Sequence, residues 1–370
     1  MPRKRMLFLF SDTGGGHRSA TQAIIEALDH EFPGRYDTKM VDFFRQYYPA
    51  PLKYAPEIYQ KMSKMPASWA LPYDMLDGEH RTSAVNKLAY PVLRSAMKRL
   101  LEENPADLIV SVHPLVNTTL VFAMRDNPLP FVTVVTDMVT THAFWYDRHA
   151  DLIIVPTEAA RQRGIHFGIP AGNLKVIGLP AAEKFLTGMP DRNEWRKKMG
   201  WSDKPAVLLV GGGDGMGPLA KVSQAINEAG LDVQVVVIAG RNEELKAQLE
   251  AIDWQLEHHI YGFTTEMPQF MHASDVLVTK AGPGTICEGF ISGLPLILYS
   301  RLPGQEDGNV DYVVQTGAGV WAPKPRDVVT TLKRWEERPE LREHAARVSK
   351  SLARPHAARD IAHVLAEQVG

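Results

Sequence analysis

The chain has 370 residues, 45% of them apolar and 23% charged, with a formal net charge of -2; this is a globular composition with length enough for two domains. The near-neutral balance gives no global basic field for nucleic acid, and a single cysteine, Cys287, excludes an intramolecular disulfide and a cysteine-rich metal site. No segment approaches ~18 uninterrupted apolar residues, and the apolar run after MPRKRM is too short for a signal peptide, so a cytoplasmic protein is expected.

The first element is the apolar run Met6–Phe10, closed by Ser11-Asp12-Thr13. Three glycines, His17 and Arg18 then open a helix whose buried stripe is Ala20, Ile24, Ala27 and Leu28. The loop lacks the lysine of a phosphate-binding P-loop, and Ser19 stands where the dinucleotide pattern wants its third glycine. Two readings of His17 are open: an incidental residue at a tight turn, or a general base kept neutral by a helix N-terminus.

From Phe43 to Leu100 the chain is rich in aromatics (Phe43, Phe44, Tyr47, Tyr48, Tyr54, Tyr59, Trp69, Tyr73) and carries nine basic against four acidic residues. Such a segment suits an anionic bilayer surface, or else a solvated helical face with its aromatics in the core. Further strands are expected at Leu108–Val112, Phe131–Val135 and Leu152–Val155, and in the second half at Ala206–Val210, Val233–Ile238, Val276–Val278 and Leu296–Tyr299. Continuous apolar runs alternating with helices predict parallel sheets covered on both faces. The fold class is therefore α/β, two doubly wound Rossmann-like domains facing a cleft: residues 1–180 and 181–352, with a last helix, 353–369, returning to the first domain.

After Ala206–Val210, five glycines fall in the seven residues from Gly211 to Gly217, followed by Pro218 at a helix start. Free backbone amides at a helix N-terminus suit a diphosphate. A second strand-to-helix junction, TKAGPGTICEGF, offers Gly282, Gly284 and Thr285, with Glu288 one turn on, where a carboxylate can take two ribose hydroxyls. Gln305, Glu306 and Asn309 then follow on a polar loop suited to sugar hydroxyls. No Asp-x-Asp occurs, so neither a metal-bridged diphosphate nor any other metal or cofactor is expected.

SDTGGGHRSA, VTVVTDMVTTHAFWY, GGGDGMGP, YGFTTEMPQFM, TKAGPGTICEG and LPGQEDGNVDYVV, in that order, resemble the monogalactosyldiacylglycerol synthase family of inverting glycosyltransferases, related to the peptidoglycan lipid II transferase. The resemblance spans nearly the whole chain. It implies the two-domain glycosyltransferase-B fold and transfer of a hexose, galactose or glucose, from a UDP-hexose to the sn-3 hydroxyl of diacylglycerol, giving a β-monoglycosyldiacylglycerol. Carried over, His17 is the base and Gly212, Gly213, Asp214, Gly215 and Met216 form the diphosphate loop. Phe263 and Met267 would hold uracil, while Gly282, Gly284, Thr285 and Glu288 hold phosphate and ribose. Gln305, Glu306 and Asn309 would read the sugar, and Asp137, His142 and Trp145 face the acceptor. Where the family usually has a run ending in arginine and proline, this chain has Ala181-Ala182-Glu183. It also lacks a plastid transit peptide, so a bacterial enzyme, peripheral on the inner face of the cell membrane, is expected. The competing readings are a UDP-sugar epimerase or hydrolase of the same fold, and a transferase with a polyprenyl-linked acceptor.

Overall fold

Apolar runs that bury both faces organise the chain into two parallel six-stranded sheets. The computed structural model describes residues 3–13, 16–63, 73, 75–213, 215 and 217–369. The chain divides into two units: Met1–Glu183 with Pro303–Gln305 and His356–Gly370, and Lys184–Leu302 with Glu306–Pro355.

In the first unit the strands are β1 (Lys4–Phe10), β2 (Tyr36–Asp42), β3 (Leu108–Ser111), β4 (Phe131–Val134), β5 (Leu152–Val155) and β6 (Leu174–Val176), in the order β2-β1-β3-β4-β5-β6. Along β1, Leu7 and Leu9 join one core layer, while Met6 and Phe8 join the other. The second layer is filled by the helix Gly16–Glu31 and by the last helix, Ala357–Val369, which pack on each other.

The second unit has β7 (Ala206–Val210), β8 (Gln234–Ile238), β9 (His258–Tyr261), β10 (Val276–Lys280), β11 (Leu296–Ser300) and β12 (Gly319–Trp321), ordered β12-β11-β10-β7-β8-β9. All strand pairs are parallel. The order reverses between β1 and β3 in the first sheet and between β7 and β10 in the second, and ligands of such sheets bind beyond the carboxyl ends of the strands at that reversal.

The aromatic segment divides differently from the interfacial reading. Phe43, Phe44, Tyr47, Tyr48 and Tyr73 are buried, the first four in the first unit's core; Trp69 lies outside the described residues. Aromatic rings, with about 150–250 Å² each to bury, give this core much of its apolar area. Among the described residues, the large apolar side chains that the segment exposes are Leu52, Tyr54, Ile58, Met75, Leu76, Leu88 and Val92.

Candidate functional site

At the first reversal, three strand ends converge on a histidine cluster. His17 stands in the first turn of the helix after β1, and His113 lies just past β3, their rings 4.6 Å apart. Thr136, just past β4, places its Oγ1 2.8 Å from His17 Nδ1. His113 Nδ1 accepts the Leu115 N–H, so its proton sits on Nε2 and donates to Thr13 Oγ1 at 3.0 Å. Burial pushes the His17 imidazole down to about 4, against a smaller opposing hydrogen bond to the Val112 backbone. His113 is pushed well below its usual range by burial and by His17. Both rings are therefore neutral at pH 7. Burial rather than the helix N-terminus is the dominant cause for His17, because desolvation penalises the imidazolium directly.

Of the three acceptor-side residues, Asp137 and Trp145 are brought together: the buried indole Nε1 donates to Asp137 Oδ2 at 2.6 Å, and its ring lies 6.0 Å from His17. His142 caps its own turn by accepting the Phe144 N–H at Nδ1, stacks on Phe144 and packs edge-on to Tyr73. The residues Pro303–Gln305 group with this unit, where Gln305 Nε2 donates to Asp137 Oδ1. Thr13, His113 and Thr136 were not legible as site residues without the strand order that places them beside His17.

At the second reversal, the glycine loop after β7 meets the junction after β10. Asp214 and Met216 lie outside the described residues. Gly215 has φ +58°, and a Cβ there would lie 2.4 Å from the Ala239 carbonyl oxygen, so only glycine fits. Pro218 is the N-cap of the following helix, Leu219–Asn227, which begins one residue later than expected. The Arg241 N–H donates to the Gly213 carbonyl, and its guanidinium lies 4.4 Å from the centre of the exposed Phe263 ring. Met267 begins the helix Met267–Ala273.

Gly282 caps the helix Pro283–Ser292, leaving Thr285 within its first turn and Glu288 further along. Burial raises the Glu288 carboxyl to about 7, opposed by Lys184. Lys280 Nζ bonds Glu306 Oε1 at 2.6 Å, and Glu306 Oε2 accepts the Leu302 N–H at 2.7 Å. Asn309 is buried, its Nδ2 donating to the Ala281 carbonyl while Oδ1 has no partner. Arg241 and Lys280 escaped the sequence reading, since which cation reaches a glycine loop depends on strand order and loop path.

Two doubly wound units of this kind make up the glycosyltransferase-B fold, which the solved structures share. Acinetobacter baumannii MurG matches with TM-score 0.63 and 15% identity over 99% of this chain and 100% of that one. Anabaena HepE in complex with UDP-glucose matches with TM-score 0.60 and 16% identity over 98% and 99%. The profile described as monogalactosyldiacylglycerol (MGDG) synthase matches residues 17–181, and that of the glycosyltransferase family 28 C-terminal domain matches 206–358. The probable chloroplastic monogalactosyldiacylglycerol synthase of Nicotiana tabacum is 35% identical over 100% of this chain and 71% of its own length. The Spinacia oleracea synthase is also 35% identical, over 99% and 73%. The chain belongs to the monogalactosyldiacylglycerol synthase family.

Proposed function

We propose that the chain transfers a hexose from a UDP-hexose to the sn-3 hydroxyl of 1,2-diacylglycerol with inversion, giving a β-monoglycosyldiacylglycerol. One observation carries this reading. The likeness to named monogalactosyldiacylglycerol synthases runs the length of the chain, and its TGGGH histidine is a neutral imidazole at a sheet reversal. The first unit, with the last helix, supplies base and acceptor site; the second binds the donor.

His17 takes the proton of the lipid hydroxyl as that oxygen attacks C1 of the hexose. In the tautomer whose Nδ1–H faces Thr136 Oγ1, 2.8 Å away, the Nε2 lone pair is the base. The new C1–O bond forms opposite the departing UDP oxygen, which keeps the electron pair of the broken bond; one displacement therefore inverts the anomeric centre. Asp137, His142 and Trp145 shape the acceptor side. The glycine loop that carries Gly212, Gly213, Asp214, Gly215 and Met216 in sequence, together with the junction of Gly282, Gly284 and Thr285 at a helix N-terminus, receives the diphosphate without a metal ion. Phe263 and Met267 receive uracil, Glu288 the ribose. The hexose hydroxyls fall to the loop of Gln305, Glu306 and Asn309, where Gln305 Oε1 and Asn309 Oδ1 are buried acceptors lacking partners.

The lipid substrate is met at a membrane surface. Leu88 and Val92, 79% and 63% exposed and one turn apart on the helix Glu79–Glu103, lie among exposed Lys87 and Arg94, a combination that favours the inner face of an anionic cell membrane. Among the described residues no helix is long and apolar enough to cross a membrane. The test is to incubate the chain with diacylglycerol liposomes and UDP-galactose, UDP-glucose or UDP-N-acetylglucosamine, with and without EDTA. A β-linked monoglycosyldiacylglycerol by NMR, formed equally in EDTA, supports the reading. Hydrolysis or epimerisation of the donor without a lipid product overturns it.

A further inference from the structure

Lys280 is the last residue of β10, and its placement is unusual. The pairing of β10 with β11 slips there: Thr279 faces Leu298, but Lys280 faces Ser300. Such an irregularity re-aims the side chain at a strand end. The re-aimed lysine runs between the two glycine junctions of the second unit. A Cβ on Gly212, in the loop after β7, would lie 3.5 Å from Lys280 Cε; one on Gly282 would lie 3.1 Å from Nζ. The stem therefore passes in van der Waals contact with Gly212, and a side chain at Gly282 would crowd the ammonium. The buried carboxylate of Glu306, itself fixed by the Leu302 N–H, holds the ammonium at that spot. About a fifth of the lysine side chain remains exposed. No side chain crowds Gly284 beyond it.

We propose that Lys280 binds the diphosphate of the UDP-hexose, supplying the positive charge that a divalent cation supplies in metal-dependent transferases. The inference rests on the donor reading above and deepens it. A fixed ammonium between two glycine-rich strand-to-helix junctions meets a dianionic group at once by charge and by hydrogen bond. In the reaction, C1–O cleavage leaves an electron pair on the β-phosphate oxygen. Lys280 keeps its proton throughout and offsets the charge that develops there, acting on the leaving group rather than on the acceptor.

The test is calorimetric binding of UDP and of uridine to the full chain and its Lys280→Met and Lys280→Arg variants, each checked for folding by circular dichroism and thermal melting. Lys280→Met is expected to weaken UDP by about tenfold to a hundredfold while leaving uridine within about twofold, as loss of one charged hydrogen bond requires. Lys280→Arg, which keeps charge and donors, is expected to hold UDP within about fivefold of the parent. If Lys280→Met does not fold, Lys280→Gln is read by the same criterion. Unchanged UDP affinity, or equal losses of UDP and uridine, overturns the proposal while leaving glycosyl transfer standing. A parent chain that binds no UDP at all overturns the donor reading, and this inference with it.

Discussion

The two sheet reversals use one architecture for opposite electrostatics. Beyond β1, β3 and β4 the chain gathers His17 and His113, both held neutral by burial, with the buried ring of Trp145. Beyond β7, β8 and β10 it gathers backbone amides and two cations, Arg241 and Lys280. A parallel sheet fixes only where strand ends converge; the loops decide whether the place suits a proton acceptor or an anion. Substitutions in the first cluster should therefore move turnover, and those in the second should move nucleotide affinity.

The sharpest way to break that division is His17→Ala. It is expected to lower kcat by about 10²–10⁴-fold while leaving the UDP dissociation constant within about twofold. The pH profile adds an independent check. With His17 depressed to about 4, its neutral fraction is complete above about pH 6, so its limb of the rate profile should fall only on acidification towards pH 4. A His17 limb centred near 6.5, or weakened UDP binding in the variant, would assign the residue elsewhere.

The next largest effect is expected at the proposed membrane face of the first unit. Neutralising Lys87 and Arg94 together should weaken sedimentation with anionic liposomes by about 1 kcal/mol per charge, roughly 30-fold in all. The loss should shrink as salt is added, because exposed charges are screened within a Debye length. Binding indifferent to salt and to lipid charge would make these residues an ordinary solvated face.

The second cluster is sharpened by Glu288. Glu288→Ala should raise the UDP dissociation constant by about tenfold, given 1.5–3 kcal/mol for hydrogen bonds to a charged group. Its carboxyl, raised to about 7, is only partly ionised in the free protein at neutral pH. Ribose hydroxyls donate best to the ionised form, so uridine affinity should rise from pH 6 to 8 and flatten in Glu288→Gln. Uridine avoids the phosphate titration near pH 6 that UDP itself would add. A rise that persists in Glu288→Gln would point to another group.

What the sequence made legible follows the same physics. All eight strands expected from apolar runs are present, shifted at most by two residues at an end. The four strands not expected, β2, β6, β9 and β12, are the four sheet edges. An edge strand is half wetted: β2 reads YDTKMVD and β9 reads HHIY, and neither carries a continuous apolar run. The site divides likewise. His17 and the glycine loops announce themselves locally, because backbone freedom at a strand-to-helix junction is written in consecutive residues. His113, Thr136, Arg241 and Lys280 are each unremarkable within their own stretch and gain meaning only from which strand lies beside which. The buried Phe43, Phe44, Tyr47, Tyr48 and Tyr73 take the core side of the two readings left open, since composition alone does not tell core aromatics from interfacial ones.

The smallest expected effect tests how His17 is held. Thr136 Oγ1 lies 2.8 Å from His17 Nδ1, and Thr136 itself is buried. Thr136→Val keeps the branched shape and removes only the hydroxyl. If that hydroxyl accepts the Nδ1 proton, its loss frees the ring to adopt the other tautomer, with the Nε2 lone pair withdrawn from the acceptor. A neutral hydrogen bond is worth about 0.5–1.5 kcal/mol, so kcat should fall by roughly twofold to tenfold. The diacylglycerol KM and the UDP dissociation constant should stay put, because neither substrate is bound through Thr136. Thr136→Ser restores the hydroxyl and should recover turnover. Failure of serine to rescue, with a loss equal to that of valine, would mean that packing of the threonine methyl rather than ring orientation sets the rate.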